Sequence, residues 1–367
     1  MTSLSIRLNV LPLEDRLTPA TADLFASGAG VGSRPFVQMY RADGSIRSQF
    51  FAFDPLFHGG VNVAYVDVNA DGVKDVIAGA GTGGGPHVKV FDGKSLEKLY
   101  NPTLPHPAVI VPLTELHSFF AYELGFSGGV SVAGGDVDCD GYDDIITGAG
   151  PGGGPHVRVF SGKTGVELRS FYAFASTFTG GVNVAAGNIT REITAVPTPP
   201  EYIEILVGSG AGMTATVVGY DGKTGEQFLT LTPFGAFSGG ASVAAGDINN
   251  DGYDDVIVGA GPGGGPHVMA FDGVLLANLP VILLPPGALP PSASFFAFDG
   301  SFRGGVRVAA SDFSADGREE IITGAGPGGT PLLRAFNRVN GTTVFDVIKF
   351  GFTWGTPEYT SGVTVGA

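Results

Sequence analysis

A nine-residue acidic loop returns four times along this chain, each time inside the same flanking sequence, and no other feature limits the possible folds as strongly. Asp67-Val-Asn69-Ala-Asp71-Gly72-Val73-Lys-Asp75 comes back as Asp136-Val-Asp138-Cys-Asp140-Gly141-Tyr142-Asp-Asp144, as Asp247-Ile-Asn249-Asn-Asp251-Gly252-Tyr253-Asp-Asp255 and as Asp312-Phe-Ser314-Ala-Asp316-Gly317-Arg318-Glu-Glu320. Oxygen-bearing side chains at positions 1, 3, 5 and 9, with glycine at 6 where the backbone turns sharply, are what a hard cation such as Ca2+ requires of a short loop. The expected ligands are those four side chains of each copy plus the backbone carbonyl of position 7 (Val73, Tyr142, Tyr253 or Arg318), giving about four ions per chain. Ser314 and Glu320 place the fourth set furthest from the pattern.

Aligned on the loops, the chain divides into units of about fifty to seventy residues, the period of propeller blades and solenoids. Each unit holds four strand-like pieces. Gly-Gly-Val-x-Val-Ala comes first, at 59–64, 128–133, 180–185, 239–244 (with Ala241 for Val) and 304–309. The acidic loop follows, then Asp-Val/Ile-Ile-x-Gly-Ala-Gly, as in Asp144–Gly150. After a Pro-Gly-Gly-Gly-Pro turn comes His-Val-x-x-Phe, as in His156–Phe160, and the last piece ends Phe-x-Ala-Phe, as in Phe171–Phe174. Alternating apolar residues, β-branched enrichment and glycine turns make these short strands, with no segment of helical period competing. Four antiparallel strands per repeat predict a propeller blade.

The two ends of the sequence complement one another. Residues 22–30 read as a second strand with no first strand before it, and Ser361-Gly362-Val363-Thr364-Val365 reads as a first strand with nothing after it. Pairing them completes a composite blade, 361–367 with 21–58, closes the ring and leaves no open terminal edge. The expected fold is therefore an all-β, six-bladed β-propeller over 21–367, its other blades starting near 59, 128, 180, 239 and 304. One unit departs: Asn188-Ile-Thr190-Arg191-Glu192 stands where the loop should be but lacks its acids, and a Pro-rich insertion follows, so no calcium is expected there. Residues 1–20 read as a targeting segment.

These units resemble the FG-GAP and VCBS-type repeats of integrin-α-like β-propellers, in which Phe-x-x-Gly-Gly, Asp-x-Asp/Asn-x-Asp-Gly-x-x-Asp and Gly-Ala-Gly follow in that order. The resemblance spans about 21–367 and implies bound calcium and a ligand met on the face opposite the ions. Leu13-Glu14-Asp15-Arg16-Leu17-Thr18-Pro19-Ala20 is similar to a short segment that begins many large secreted or surface-displayed bacterial proteins. Secretion or display at a bacterial cell surface is the expected location.

Composition narrows the partners. A net charge of −15 argues against nucleic acid and anionic membranes, which call for clustered Lys and Arg. The single cysteine, Cys139, excludes an intramolecular disulfide, and at position 4 of its loop it reads as a spectator. No apolar run reaches membrane-spanning length: the stretch around Val281–Leu284 is broken by Pro285, Pro286, Pro290 and Pro291. No membrane insertion is expected, and the chain is expected to be a monomer.

Other recurrent residues read as structure. His87, His156 and His267 occupy one place in three different blades, away from the innermost strand, which suits packing better than a shared zinc ion. Phe51, Phe120, Tyr172 and Phe296, and equally Phe53, Tyr122, Phe174 and Phe298, read as core between neighbouring sheets. The glycine clusters lack the following helix and Lys-Ser/Thr of a phosphate loop, and no nucleophile elbow or zinc-protease motif occurs. The asymmetric parts are apolar, Pro-rich inserts at 100–117, 193–202 and 274–293, better suited to protein contact than to chemistry. The expected function is thus a non-enzymatic adhesion or ligand-binding module for a protein or carbohydrate at the cell surface. The alternatives are a hydrolase or lyase with its site in the central channel, or a purely structural envelope module.

Overall fold

A computed structural model describes residues 23–41, 44–97, 113–190, 202–278, 289–312, 316–329, 332–339, 343–345, 350–351 and 362–366. Six antiparallel sheets form the blades. Blade 1 is Val363–Gly366, Asp23–Ala29, Phe36–Arg41 and Ile46–Phe51; blade 2 is Val61–Val66, Asp75–Ala80, His87–Phe91 and Glu115–Phe120. Blade 3 is Val130–Gly135, Asp144–Ala149, His156–Phe160 and Glu167–Tyr172; blade 4 is Val182–Gly187, Glu204–Ser209, Val217–Tyr220 and Gln227–Leu231. Blade 5 is Ala241–Gly246, Asp255–Ala260, His267–Phe271 and Ala293–Phe296. Blade 6 is Val306–Ser311, Glu320–Ala325, Leu332–Val339 and Thr343–Phe345, with Phe350–Gly351 also paired to its third strand. Each blade's first strand packs against the first strands of both neighbours, so these six line the axis.

The predicted closure is present. Ala26, Ser27, Gly28 and Ala29 pair with Gly366, Val365, Thr364 and Val363, which completes blade 1 from both ends of the sequence. The second strands of blades 2 to 6 are buried at every residue, as in Asp75–Ala80 and Asp255–Ala260, because they lie between flanking blades. This explains the first glycine of Gly-Ala-Gly: a Cβ on Gly79 would stand 2.5 Å from the Val130 carbonyl oxygen of the next blade, and one on Gly324 2.7 Å from that of Val363. Valine and isoleucine beside these glycines fill the wedge between sheets, each contributing about 1.5–3 kcal/mol on burial.

Two expectations need correction. Gly93–Glu97 and Gly273–Ala277 form one-turn helices between the third and fourth strands of blades 2 and 5, although no segment of helical period competes with the strands in the sequence. The Asp272 carboxylate caps the second by accepting from the Leu275 amide at 3.0 Å, a local preference too short to give a helical period. The inserts beyond these helices, 98–112 and 279–288, and that at 191–201, lie outside the described residues.

The aromatic positions are also out of phase by one. Phe120, Tyr172 and Phe296 are 51%, 55% and 57% exposed, so they are not inter-sheet core. Their predecessors make the contact instead: Phe119 meets Phe160 at 4.6 Å, Phe171 meets Tyr220 at 4.7 Å and Phe295 meets Phe336 at 4.7 Å, each on the following blade. Successive strand residues point to opposite faces, so only one of two adjacent aromatics can face the neighbouring sheet. The second series does bridge blades, with the Tyr122 hydroxyl donating to the His156 carbonyl at 2.9 Å. Replacing Phe119 by Ala is expected to cost about 2–3 kcal/mol in chemical denaturation, and Phe120→Ala less than about 1 kcal/mol. Equal losses would contradict the register.

Candidate metal centre

The four loops adopt one geometry. In blade 2 the Asp67 carboxylate accepts from the Asp71 and Gly72 amides at 3.0 and 2.8 Å, and the Asp71 carboxylate accepts from the Val73 amide at 3.0 Å. Asp136 and Asp140 in blade 3, Asp247 and Asp251 in blade 5, and Asp312 and Asp316 in blade 6 repeat these bonds within about 0.1 Å. Position 3 joins in through Asn69 and Asp138, each accepting from the position 5 amide at 3.0 and 3.2 Å. Ser314 lies outside the described residues.

The backbone is left-handed at two points of the loop. Gly72, Gly141, Gly252 and Gly317 have φ of 84 to 88°, the conformation that made glycine necessary at position 6. Position 4 is left-handed too, with φ of 56° at Ala70 and 60° at Cys139 and Asn250. Cys139 thus occupies a left-handed turn residue between positions 3 and 5.

Position 9 opens the second strand and is deeply buried: Asp75, Asp144 and Asp255 are 0% exposed and Glu320 2%. The Asp75, Asp144 and Asp255 carboxylates accept from the Gly93, Gly162 and Gly273 amides at 2.7, 3.1 and 2.9 Å. The acidic loop and the connection between strands three and four hence share one face, as the strand directions require. Burial pushes the Asp75 and Asp144 carboxyls up to about 7, aided by the neighbouring loop carboxylates. A divalent ion would reverse that penalty.

The blade 3 residues fit calcium. One carboxylate oxygen each of Asp136, Asp138 and Asp144 lies within 4.8 Å of the others, close to the separation of two oxygens on opposite sides of an ion bound at 2.3–2.6 Å. Loops 2 and 5 hold Asn69 and Asn249 at position 3, so their oxygen sets are less acidic. Lys94 lies 3.1 Å from Asp71 and Lys163 3.7 Å from Asp140, exposed ion pairs worth little beside a divalent ion.

Position 8 was missed. Asp143 accepts from the Asp67 amide at 2.9 Å and returns its own amide to the Asp67 carbonyl at 3.3 Å, across 76 residues. Asp254 does the same with Asn188 of blade 4, at 2.7 and 2.8 Å, and the Glu319 amide donates to the Asp247 carbonyl at 2.9 Å. The loops of blades 3, 5 and 6 are thus each clasped to the loop of the preceding blade. The signal was visible in the acid that three of the four loops carry at position 8.

The divergent blade keeps one acid. Glu204 pairs with Gly187 as Asp144 pairs with Gly135, so it holds position 9, displaced in sequence by the insertion. It accepts from the Ile189 amide at 2.7 Å and from the Thr190 hydroxyl and amide at 2.5 and 3.2 Å. The Ile189 bond repeats the one that Asp144 accepts from the Val137 amide at 3.0 Å, and the Thr190 hydroxyl is the added donor.

The three histidines pack between rings. His87 lies 4.8 Å from Phe120 of its own blade and 5.4 Å from Phe53 of the preceding one; His156 and His267 are held alike by Tyr172 and Tyr122 and by Phe296 and Phe234. Each ring nitrogen Nε2 bonds a serine on the adjacent strand, Ser118, Ser170 or Ser294, at 3.0, 2.8 and 2.9 Å. Burial holds all three imidazoles below the usual value.

Residues 239–269, which span most of the first three strands of blade 5, match the FG-GAP repeat. No curated protein matches the chain. The six-bladed ring and this match agree with the resemblance drawn from the loops, and no helix among the described residues is long and apolar enough to cross a membrane.

Proposed function

We propose that this FG-GAP β-propeller is a non-catalytic ligand-binding module, secreted or displayed at a bacterial cell surface, whose acidic loops hold about four Ca2+ ions. The observation that carries the reading is the repetition of one oxygen-lined loop geometry in blades 2, 3, 5 and 6. When bound, the ions supply charge neutralisation and a tie between first and second strands; the chain's own residues set the rest. Positions 1 and 5 order the turn, position 9 anchors it to the strand connection beside it, and position 8 couples neighbouring loops. The role proposed for the ions is structural: they stiffen the junction of first and second strands.

Support for a binding role, and against a hydrolase or lyase, comes from the channel. Among the described residues, those around its mouth include neither histidine nor carboxylate, so no general acid and base face one another there. The ligand face is proposed to be the one opposite the ions, formed by the glycine turns.

The double change Asp140→Ala with Asp144→Ala is expected to lower bound calcium by one equivalent, measured by elemental analysis of the purified protein and by titration calorimetry. An unchanged ion count would refute the ligand set. Binding of the calcium-loaded protein to arrays of bacterial and host surface glycans and matrix proteins tests the module reading, and an array without a single saturable signal would sink it.

A further inference from the structure

The central channel is built from one repeated contact that fails at one blade. The residue between the two valines of each first strand (Ala241 and Val243 in blade 5) is polar: Asn62, Ser131, Asn183, Ser242, Arg307 and Thr364. Five of these tie their blade to the next. Asn62 donates to the Val130 carbonyl at 2.7 Å, Asn183 to that of Ala241 at 2.8 Å, and Thr364 to that of Val61 at 2.7 Å. Ser131 and Ser242 accept from the Val184 and Val308 amides at 3.1 and 3.2 Å. Arg307 stands where the sixth tie to Val363–Gly366 would be, and among the described residues no hydrogen bond or ion pair reaches its guanidinium.

Among the described residues Arg307 is also the sole charged one around the mouth, a cavity of about 260 Å3 that opens among the glycine turns. It lines the lumen below that mouth as well, together with the other five ring residues. Enclosure by protein disfavours its charged form, with no carboxylate near enough to offset the effect. The acids Asp143, Asp254 and Glu319 sit at the calcium end of the strands, about four residues or roughly 13 Å further along. A guanidinium keeps its charge under such conditions, and an enclosed cation without a counter-charge is costly unless water or a ligand completes it. Ser131 and Ser242 add to the site: their oxygens already accept an amide, so each hydroxyl hydrogen is free to donate into the lumen.

The geometry points to an oxyanion site in the channel mouth, in which Arg307 takes a carboxylate or sulfate group through its planar fork and the Ser131 and Ser242 hydroxyls donate beside it. The apolar walls, Val61, Val130, Val182, Ala241 and Val363, suit a slender organic acid, and the volume limits the ligand to a small molecule or a narrow end group. A protein of net charge −15 does not gather anions by its overall field, so selectivity rests on this one fork. The inference is independent of the calcium reading.

The test uses calcium-loaded protein with sodium acetate, benzoate and sulfate, against sodium chloride of equal ionic strength, followed by melting temperature and titration calorimetry. The wild type is expected to melt a few degrees higher with at least one oxyanion, with Kd of about 1 mM or tighter. Arg307→Asn places in blade 6 the residue that blades 2 and 4 use for the tie, so the variant is expected to melt no lower than wild type while losing the specific response. Salt effects on solvation act on both proteins equally and cancel in the comparison. Arg307→Lys, which keeps the charge without the fork, is expected to bind at least ~10-fold more weakly, and serves if the asparagine variant does not fold. A carboxylate response without a sulfate response assigns the site to organic acids, and the reverse to sulfate-bearing ligands. No calorimetric binding of any oxyanion by wild type, or an equal response in Arg307→Asn, overturns the proposal.

Discussion

Stripping calcium from residues 21–367 is expected to lower the melting temperature by about 15 °C relative to protein in millimolar calcium. A site with a Kd one hundredth of the free ion concentration stabilises the native state by about 2.7 kcal/mol, so four sites contribute roughly 11 kcal/mol. A domain of this size shifts by about 1.4 °C per kcal/mol, from an unfolding entropy near 2.1 cal/mol/K per residue. The ions act at four separate blades, but the clasps from Asp143 to Asp67, Asp254 to Asn188 and Glu319 to Asp247 join the loops, so the loss should be shared across the ring. Differential scanning calorimetry with chelator and with added calcium reads this directly. Identical melts under both conditions would reduce the loops to solvated turns.

The calcium-free protein carries its own pH signature. Burial pushes the carboxyls of Asp75, Asp144 and Glu319 up to about 7, with nearby acids adding to the shift. Unfolded carboxyls titrate near 4, so the folded state binds these protons more tightly. Their contribution to stability is complete at pH values below about 4 and is lost as pH rises through about 7. Metal-free protein should therefore melt lower at pH 8 than at pH 5.5, and calcium should flatten that slope by stabilising the ionised forms. A metal-free melting temperature that rises over this interval would contradict the burial assigned to these acids.

Blade number, strand order, ring closure and the four loops were legible because each is written in the chain several times. Asp67, Asp136, Asp247 and Asp312 recur with their glycines, and repetition separates a signal from accident. What escaped was whatever depends on facing across blades. Phe119 and Phe120 are both aromatic, and only the pleat decides which meets Phe160. Asp143 reads as a spare acid until its partner Asp67, 76 residues away, is seen beside it. Glu204 was hidden by the insertion that separates it from Thr190, and Arg307 looks like one more polar residue in a first strand until the other five prove to be bonded. Cys139 offers calcium no hard oxygen in its side chain, yet its left-handed backbone shapes the loop.

Deleting residues 360–367 should cost far more than eight residues at a chain end usually do. The segment supplies the first strand of blade 1, pairing Val363–Gly366 with Ala26–Ala29, and its loss bares the backbone edge of Asp23–Ala29. Val363 is 2% exposed and packs with Phe25, Tyr40, Ile322 and Leu333 between blades 6 and 1, so a core cluster opens with it. The Thr364 bonds to the Gly28 and Val61 carbonyls, at 3.2 and 2.7 Å, disappear as well. Lost burial and cavity formation amount to at least about 4–6 kcal/mol. The truncated protein should melt several degrees lower and associate through its open edge. A synthetic peptide of residues 360–367 added in trans is expected to restore part of the loss by re-forming the strand, and a scrambled peptide to restore none. A truncated protein that melts with the parent would mean that the ring is held by its other five junctions, and that the pairing of Ala26–Ala29 with Val363–Gly366 adds nothing to stability.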